Sequence, residues 1–264
     1  MDVDRYAKER YGKVIDVDRC LKRIGYIGPT EHSLSTLQTL QRVFLLKVPF
    51  ENLDIHLGRQ ISLSPESIYE KIVSRRRGGF CYECNILFYN LLNELGFKTE
   101  YLSARMVKGS TVGQEFDHMV ILVNLEHNYL VDVGNGQSCR EPLRIDGKNR
   151  AFSEGYTYRV GPYDKGYALY YQKPDTAWTP RFIFTLIPRD RTEFSGMCHY
   201  HQTSSESVFT QRRIVTIATK KGRVTLTDMQ LTITEGVKIE ESVLTSEGDF
   251  YENLKQYFRI EVDS

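Results

Sequence analysis

In the first third of the chain, apolar residues recur at the three-to-four spacing of amphipathic helices. This spacing predicts helices over residues 16–24, 33–46 and 64–73. A fourth helix begins near Cys81, and its apolar stripe falls at positions 84, 87, 88, 91, 92 and 95. Gly96 follows this stripe, at the place where a glycine commonly ends a helix. The segment 48–56 has no clear period and receives no assignment.

From residue 98 the apolar period becomes two, which is typical of β-strands. The pattern predicts strands over residues 98–107, 117–125, 128–133, 156–160, 167–172 and 178–187. The tight connection at residues 126–128 joins the second and third of these strands as a hairpin. Many short strands separated by Gly, Pro and Asp turns indicate an antiparallel sheet or a small barrel.

The last part of the chain mixes both periods. Helix is predicted from about residue 191 to 200, and strands over 212–219 and 223–233. Phe250, Leu254 and Phe258 then recur every four residues in a charged helix over 247–258. The order of elements predicts an α+β fold in three parts, residues 1–95, 96–190 and 191–264.

Composition narrows the class of protein without identifying it. Of the 264 residues, 41% are hydrophobic and 26% are charged, as in ordinary soluble globular proteins, and the net charge of +1 gives no reason to expect nucleic acid. No apolar run approaches the length of a membrane span. The charged start at residues 1–5 does not resemble a signal peptide, and five cysteines form no disulfide framework. We therefore expect a cytoplasmic protein with no nucleic-acid or membrane partner.

Cys81 is the candidate nucleophile. It follows Gly78 and Gly79 and lies in the first turn of the fourth helix, where the helix dipole and unpaired N–H groups favour a thiolate. The alternative is that Cys81 is a small apolar residue starting a core helix. The preceding basic cluster, Arg75–Arg77, is interpreted as a solvated helix end.

His118 and Asp132 are the candidate base and orienting acid. They lie on the two strands of the predicted hairpin, where directly opposite Cβ atoms are about 5 Å apart and diagonal neighbours about 7–8 Å apart. Asp132 follows an apolar run and needs a partner if it is buried. The two residues could instead be a strand-edge histidine and an acid near a turn. With Cys81 they could build a thiolate–imidazolium–carboxylate triad.

A C-x-x-C pair, Cys81 and Cys84, is the competing interpretation. Redox pairs of this kind open a helix after a strand, whereas a helix precedes this one. A zinc site would need two further ligands at suitable spacing, and the chain has no second C-x-x-C. We therefore expect no metal, and we place Cys84 on the core face of its helix.

Several motifs, taken together, resemble the arylamine N-acetyltransferase family. Arg77-Gly78-Gly79-Phe80-Cys81 is similar to the active-site cysteine motif of that family. Similar motifs, in the expected order, are found at residues 48–56, in the strand that holds His118, at 131–136, and at Phe194, Met197-Cys198 and 201–204.

The resemblance implies an N-terminal helical bundle, a central antiparallel β-barrel and a C-terminal α/β lid around a cysteine-protease-like Cys-His-Asp core. It also implies ping-pong acetyl transfer from acetyl-CoA, the co-substrate, to the amine of an arylamine, arylhydrazine or hydroxylamine. Cys81 would become acetylated, His118 would hold the thiolate as imidazolium and later help remove the amine proton, and Asp132 would orient His118. No metal is implied.

The same resemblance implies a set of substrate and CoA contacts: Phe50, Phe80, Gly134, Asn135, Gly136, Thr203 and Ser204. The two phenylalanines could equally be core, and the two hydroxyl residues could simply cap or turn the chain. Two positions depart from the family pattern: Asn135 stands where an aromatic residue is common, and Ser205 where a proline is usual. The first of these changes the acceptor pocket and leaves the chemistry of Cys81 untouched.

Two alternatives stay open on the sequence. One is an amide synthase of the same fold that uses another acyl thioester. The other is a papain-like or transglutaminase-like hydrolase with a Cys-His-Asp site.

Overall fold

The computed structural model describes residues 15–137 and 139–262, so the charged start at 1–5 lies outside it. Its N-terminal helices are α1 (Val17–Ile24), α2 (Leu34–Lys47), α3 (Leu53–His56), α4 (Pro65–Tyr69) and α5 (Cys81–Glu94), with a π-helical turn at Glu70–Ser74. Asp16, Ser33 and Ser64 cap α1, α2 and α4 by accepting hydrogen bonds from backbone N–H groups three residues later. Gly96 follows α5 with φ +89°, which confirms its predicted place.

The middle of the chain forms one antiparallel sheet. Its strands are β2 (Lys98–Lys108), β3 (Thr111–Val112), β4 (His118–Asn124), β5 (Asn128–Val131), β6 (Leu143–Arg144), β7 (Ala151–Ser153), β8 (Tyr156–Tyr163), β9 (Gly166–Gln172) and β10 (Thr179–Arg189). They run in the order β6-β5-β4-β2-β10-β9-β8-β7, with β3 beside β2. The two ends of this order, β6 and β7, come close together, because Leu143 on β6 and Ala151 on β7 pack in the same hydrophobic core. The sheet therefore curls into a nearly closed barrel.

The C-terminal part contains a second sheet and its helices. Its elements are a 3₁₀ turn at Arg191–Phe194, α6 (Ser195–Thr203), α7 (Val208–Gln211), β11 (Ile214–Ala218), β12 (Gly222–Thr227), β13 (Gln230–Glu235), β14 (Lys238–Val243), α8 (Glu247–Asn253) and a π-helical turn at Leu254–Phe258. The single strand predicted over 223–233 is wrong, because the chain turns back there to form β12 and β13. The charged helix over 247–258 is confirmed, with Phe250, Leu254 and Phe258 all buried.

A short strand ties the N-terminal part to the C-terminal sheet. Within the unassigned segment 48–56, Phe50–Glu51 forms β1, which pairs with β11. Phe50 also lies beside Gly79 in an isolated parallel bridge. The loop before Cys81 is therefore fixed between the helices and the C-terminal sheet.

Arg77 corrects the interpretation of the basic cluster. Arg75 and Arg76 are exposed as expected of a solvated helix end, but Arg77 is buried. Its guanidinium donates to Glu51 at 2.7 Å and to Asp54 at 3.0 Å. A guanidinium is too costly to bury without such partners. Arg77 therefore anchors the glycine loop to the segment that contains β1 and α3.

None of the helices within the described ranges has the length and apolar character that crossing a membrane requires.

Candidate active site

The glycine loop places Cys81 at the first position of α5. Gly79 donates to the carbonyl of Pro49 at 3.1 Å, and its own carbonyl accepts from the N–H of Glu51 at 2.9 Å. A Cβ on Gly78 would lie 2.3 Å from the carbonyl oxygen of Pro49. Since real Cβ atoms do not approach that closely, glycine is required for the loop to dock here.

Glu83 is a buried acid that holds the start of α5 in place. Its carboxylate accepts from the backbone N–H of Phe80 at 2.7 Å and from Lys71 Nζ at 2.8 Å. Complete burial raises the pKa of Glu83, while the ammonium of Lys71 opposes that rise. Cys84, one residue further on, is buried with its thiol directed at the carbonyl of Gly79, as predicted for the core face.

His118 and Asp132 are in direct contact. His118 Nε2 lies 2.9 Å from Asp132 Oδ2, and both side chains are buried. In the β4–β5 register Ile121 faces Val131, so Asp132, just after β5, is the diagonal neighbour of His118. Burial alone would raise the pKa of the Asp132 carboxyl. The charge of His118 and the hydrogen bonds that Asp132 accepts outweigh this effect and lower the pKa below its ordinary value.

Asn85 completes this arrangement and was not predicted. It lies one turn after Cys81 on α5, and its Nδ2 donates to Asp132 Oδ1 at 3.1 Å. Its Oδ1 accepts from the backbone N–H of Val133 at 3.0 Å. Asn85 thus links the helix of the cysteine to the loop of the aspartate. Its i+4 spacing from Cys81 was the signal in the sequence, but that spacing alone does not specify a partner.

A cleft of about 240 Å³ brings most of the predicted residues together. It is lined by Phe50, Cys81, Met106, Asp117, His118, Gly134, Asn135, Gly136, Gln137, Arg181 and Phe209. Gly134 packs directly on the cysteine, since a Cβ there would lie 2.3 Å from the carbonyl oxygen of Cys81. The cleft therefore contains the thiol and the imidazole, with Asp132 behind the imidazole and apolar side chains on its walls.

Three of the predicted contact residues do not line this cleft. Phe80 is fully buried behind Phe50 and Phe209, with ring centroids 5.6 Å and 4.6 Å away, so it is core. Thr203 Oγ1 donates to the carbonyl of His199, and Ser204 Oγ accepts from the N–H of Glu206. Both hydroxyls thus shape the end of α6. Phe209, which the sequence reasoning missed, is the aromatic residue that shares the cleft wall with Phe50.

Comparison with known proteins agrees with this geometry. A family model described as N-acetyltransferase matches residues 33–264. The chain is 33% identical to an arylamine N-acetyltransferase of Mycolicibacterium smegmatis, over 83% of this chain and 82% of that protein. The chain belongs to the arylamine N-acetyltransferase family. It is therefore an enzyme of the acyltransferase class, as predicted from the motifs.

Solved structures of arylamine N-acetyltransferases have the same fold. The enzyme from M. tuberculosis superposes with a TM-score of 0.86 at 29% identity, covering 93% of both chains. The Mycobacterium marinum enzyme in complex with CoA gives a TM-score of 0.85 at 28% identity, again covering 93% of both. Across the described part of this chain, no group of three or more His, Cys, Asp or Glu side chains is arranged to hold a metal ion.

The thiol of this acyltransferase differs from the sequence expectation in one respect. Burial raises the pKa of Cys81 well above its ordinary value, and the nearby N–H of Tyr82 opposes that rise only in part. Burial thus opposes the thiolate that the helix start favours. A buried thiol ionises when a cation forms beside it, and His118 lines the same cleft.

Proposed function

We propose that this enzyme transfers an acetyl group from acetyl-CoA to the amine of an arylamine, arylhydrazine or hydroxylamine through an acetyl-Cys81 intermediate. The observation that carries the proposal is the shared cleft of Cys81 and His118, with Asp132 bonded behind the imidazole. The CoA complex of the M. marinum relative supports CoA as the leaving thiol. No metal takes part in this scheme.

In the first half-reaction, Cys81 gives its proton to His118 and attacks the thioester carbonyl. The new S–C bond forms on Cys81, the C–S bond of the thioester breaks, and CoA leaves with the proton. Asp132 stabilises the imidazolium that exists between these events, since it remains a carboxylate beside His118. In this proposal the backbone N–H of Cys81, at the start of α5, holds the developing oxyanion.

In the second half-reaction, the amine nitrogen attacks the acetyl carbonyl. An N–C bond forms, the S–C bond to Cys81 breaks, and the amine proton passes to His118. Phe50 and Phe209 supply apolar walls against which an aromatic ring can pack. Gly134 and Gly136 line the same cleft, and the missing side chain of Gly134 lets its loop pack against the backbone of Cys81.

Mass spectrometry of the protein after acetyl-CoA, without an acceptor, tests the intermediate. We expect a mass gain of one acetyl group on the peptide that contains Cys81, and its loss when an aniline or hydrazine is added. Cys81→Ala should gain nothing, whereas Cys84→Ala, a change at a buried core thiol, should still be acetylated. An unmodified Cys81 would contradict the proposal and favour another acyl thioester or hydrolysis.

Alkylation kinetics test the pairing of Cys81 with His118. At neutral pH we expect Cys81 to react with iodoacetamide at least tenfold faster in the wild type than in His118→Ala, since without the imidazole burial keeps the thiol protonated. His127→Ala, which removes an exposed histidine of the β4–β5 turn, should react like the wild type. Equal rates in the wild type and His118→Ala would mean that this histidine does not activate the thiol.

A further inference from the structure

A second groove, separate from the cleft of Cys81, is lined by positive charge. It has a volume of about 330 Å³ and shares no lining residue with that cleft. Its walls come from the end of α2, the loop before Cys81, the β11–β12 turn and the π-helical turn at Leu254–Phe258. The charged residues that line it are all cations: Lys47, Arg76, Lys220 and Arg259. We call this the basic groove.

Carboxylates do not neutralise these four cations. All four residues are exposed, and none of their side chains forms an ion pair within residues 15–137 and 139–262. The acids nearest in sequence to three of them are paired elsewhere: Glu51 with Arg77, Glu70 with Arg75, and Glu261 with Lys255. A groove lined by charges of one sign concentrates ions of the opposite sign. The basic groove is therefore suited to an anion.

The ends of the neighbouring helices do not explain this charge. Cations are common at helix C-termini, where the free carbonyls carry about half a negative charge. Here the buried Arg23 satisfies those carbonyls. Its guanidinium donates to the carbonyls of Lys47 at 2.7 Å and Ile72 at 2.8 Å, and to that of Arg77 at 3.0 Å. Burial, and after it the charge of Arg76, lower the pKa of Arg23 to about 10. The charge of Arg23 therefore adds to the positive potential of the groove.

Two of the groove arginines have a backbone conformation that glycine adopts more easily. Arg76 has a φ of +56° and Arg259 a φ of +57°, both in the left-handed region. Arg259 ends one π-helical turn, and Arg76 lies two residues after the other, where glycine is the usual residue. Side chains in this conformation are strained, and such strain is concentrated at functional sites. The two positions therefore indicate a role for the guanidinium groups themselves.

We propose that the basic groove binds an anion with two or more linked phosphates, at a site distinct from the catalytic cleft. Guanidinium groups bind phosphate oxygens through paired hydrogen bonds, and lysine ammonium groups add point charges. A single phosphate group carries about two negative charges, so four cations match a chain of phosphates better than one phosphate. Tyr257 and Ile217 also line the groove and give a nucleotide base an apolar surface to pack on.

Isothermal titration calorimetry of the full-length protein with sodium tripolyphosphate and with ATP, at low salt, tests the proposal. We expect one site per chain, which Lys220→Gln and Arg259→Gln each weaken about five- to tenfold. Arg259→Gly should weaken binding as well, yet leave the melting temperature unchanged or higher, because glycine relieves the left-handed residue. Tighter binding of ATP than of tripolyphosphate would identify a nucleotide as the ligand. Equal or weaker binding of ATP would identify the phosphate chain alone.

Cations outside the groove are the matched controls. Lys221→Gln and Arg75→Gln remove the same charge next to Lys220 and Arg76, and both should keep the wild-type affinity. Arg181→Gln, in the catalytic cleft, should also keep it. The proposal is overturned if the wild type binds neither anion, or if these controls lose as much affinity as the groove variants. A higher KM for acetyl-CoA in Lys220→Gln would also overturn it, since the groove would then hold the phosphates of CoA.

Discussion

Asp132→Asn is expected to lower kcat/KM for acetyl transfer by about three to four orders of magnitude. The asparagine can still accept from Asn85 and Gly134 through its oxygen, so the loop is expected to keep its shape. Its amide nitrogen, however, would face His118 Nε2, and two donors cannot bond. His118 must then carry its proton on Nδ1, the nitrogen left for the thiol, and can no longer receive the proton of Cys81. Steady-state kinetics with acetyl-CoA and an aniline measure the loss.

Asp132→Glu is the matched control for charge. It keeps a carboxylate near His118 and should retain more activity than the asparagine variant, although the longer side chain strains a completely buried site. Alkylation of Cys81 should also be slower in Asp132→Asn than in Asp132→Glu. A turnover of Asp132→Asn within tenfold of the wild type would show that the contact with His118 is not needed for catalysis.

The sequence predicted the parts of this enzyme that local patterns encode. The helix over 33–46, the helix that begins near Cys81 and the strand over 117–125 each depend on neighbours a few residues away. Elements form at all three places, although α5 and β4 are buried on both faces rather than on one. The contact of His118 with Asp132 was within reach because one hairpin separates them. The single strand over 223–233 was wrong because the β12–β13 turn contains neither proline nor glycine.

Contacts between distant segments could not be predicted. Arg77 looked like the end of a solvated cluster, and only its position against Glu51 and Asp54 shows that it is buried. Phe80 and Phe209 illustrate the same limit, since the sequence does not say which of two aromatic residues faces the cleft. The pairing of Asn135 with Arg181 joins residues 46 positions apart. Such pairings depend on how the barrel and the loop after β5 pack together. The periodicity of the local sequence carries no information about this packing.

Gly134→Ala is expected to reduce acetyl transfer about a hundredfold or more, and to destabilise the protein by about 1–3 kcal/mol. The new Cβ would lie 2.3 Å from the carbonyl oxygen of Cys81, 2.5 Å from Asn85 Nδ2 and 2.9 Å from Cys81 Cα. Two of these atoms belong to the backbone of Cys81 at the start of α5. The steric clash is therefore relieved only if Cys81 or the loop that follows Asp132 moves. Thermal unfolding and single-turnover acetylation of Cys81 measure the two effects separately.

Gly196→Ala is the control for this substitution, because a Cβ there meets no atom within 4 Å and it lies on α6 outside the cleft. Its activity should match the wild type. Gly136→Ala should be intermediate, since its Cβ would lie 2.9 Å from the methyl group of Thr216, at the end of a side chain, and 4.0 Å from Phe50 Cδ1. If Gly134→Ala acetylated Cys81 at the wild-type rate, the close packing of this loop on the nucleophile would not matter for catalysis. A larger loss for Gly134→Ala than for Gly136→Ala, with Gly196→Ala unchanged, would instead show that the backbone after Asp132 sets the position of the sulfur.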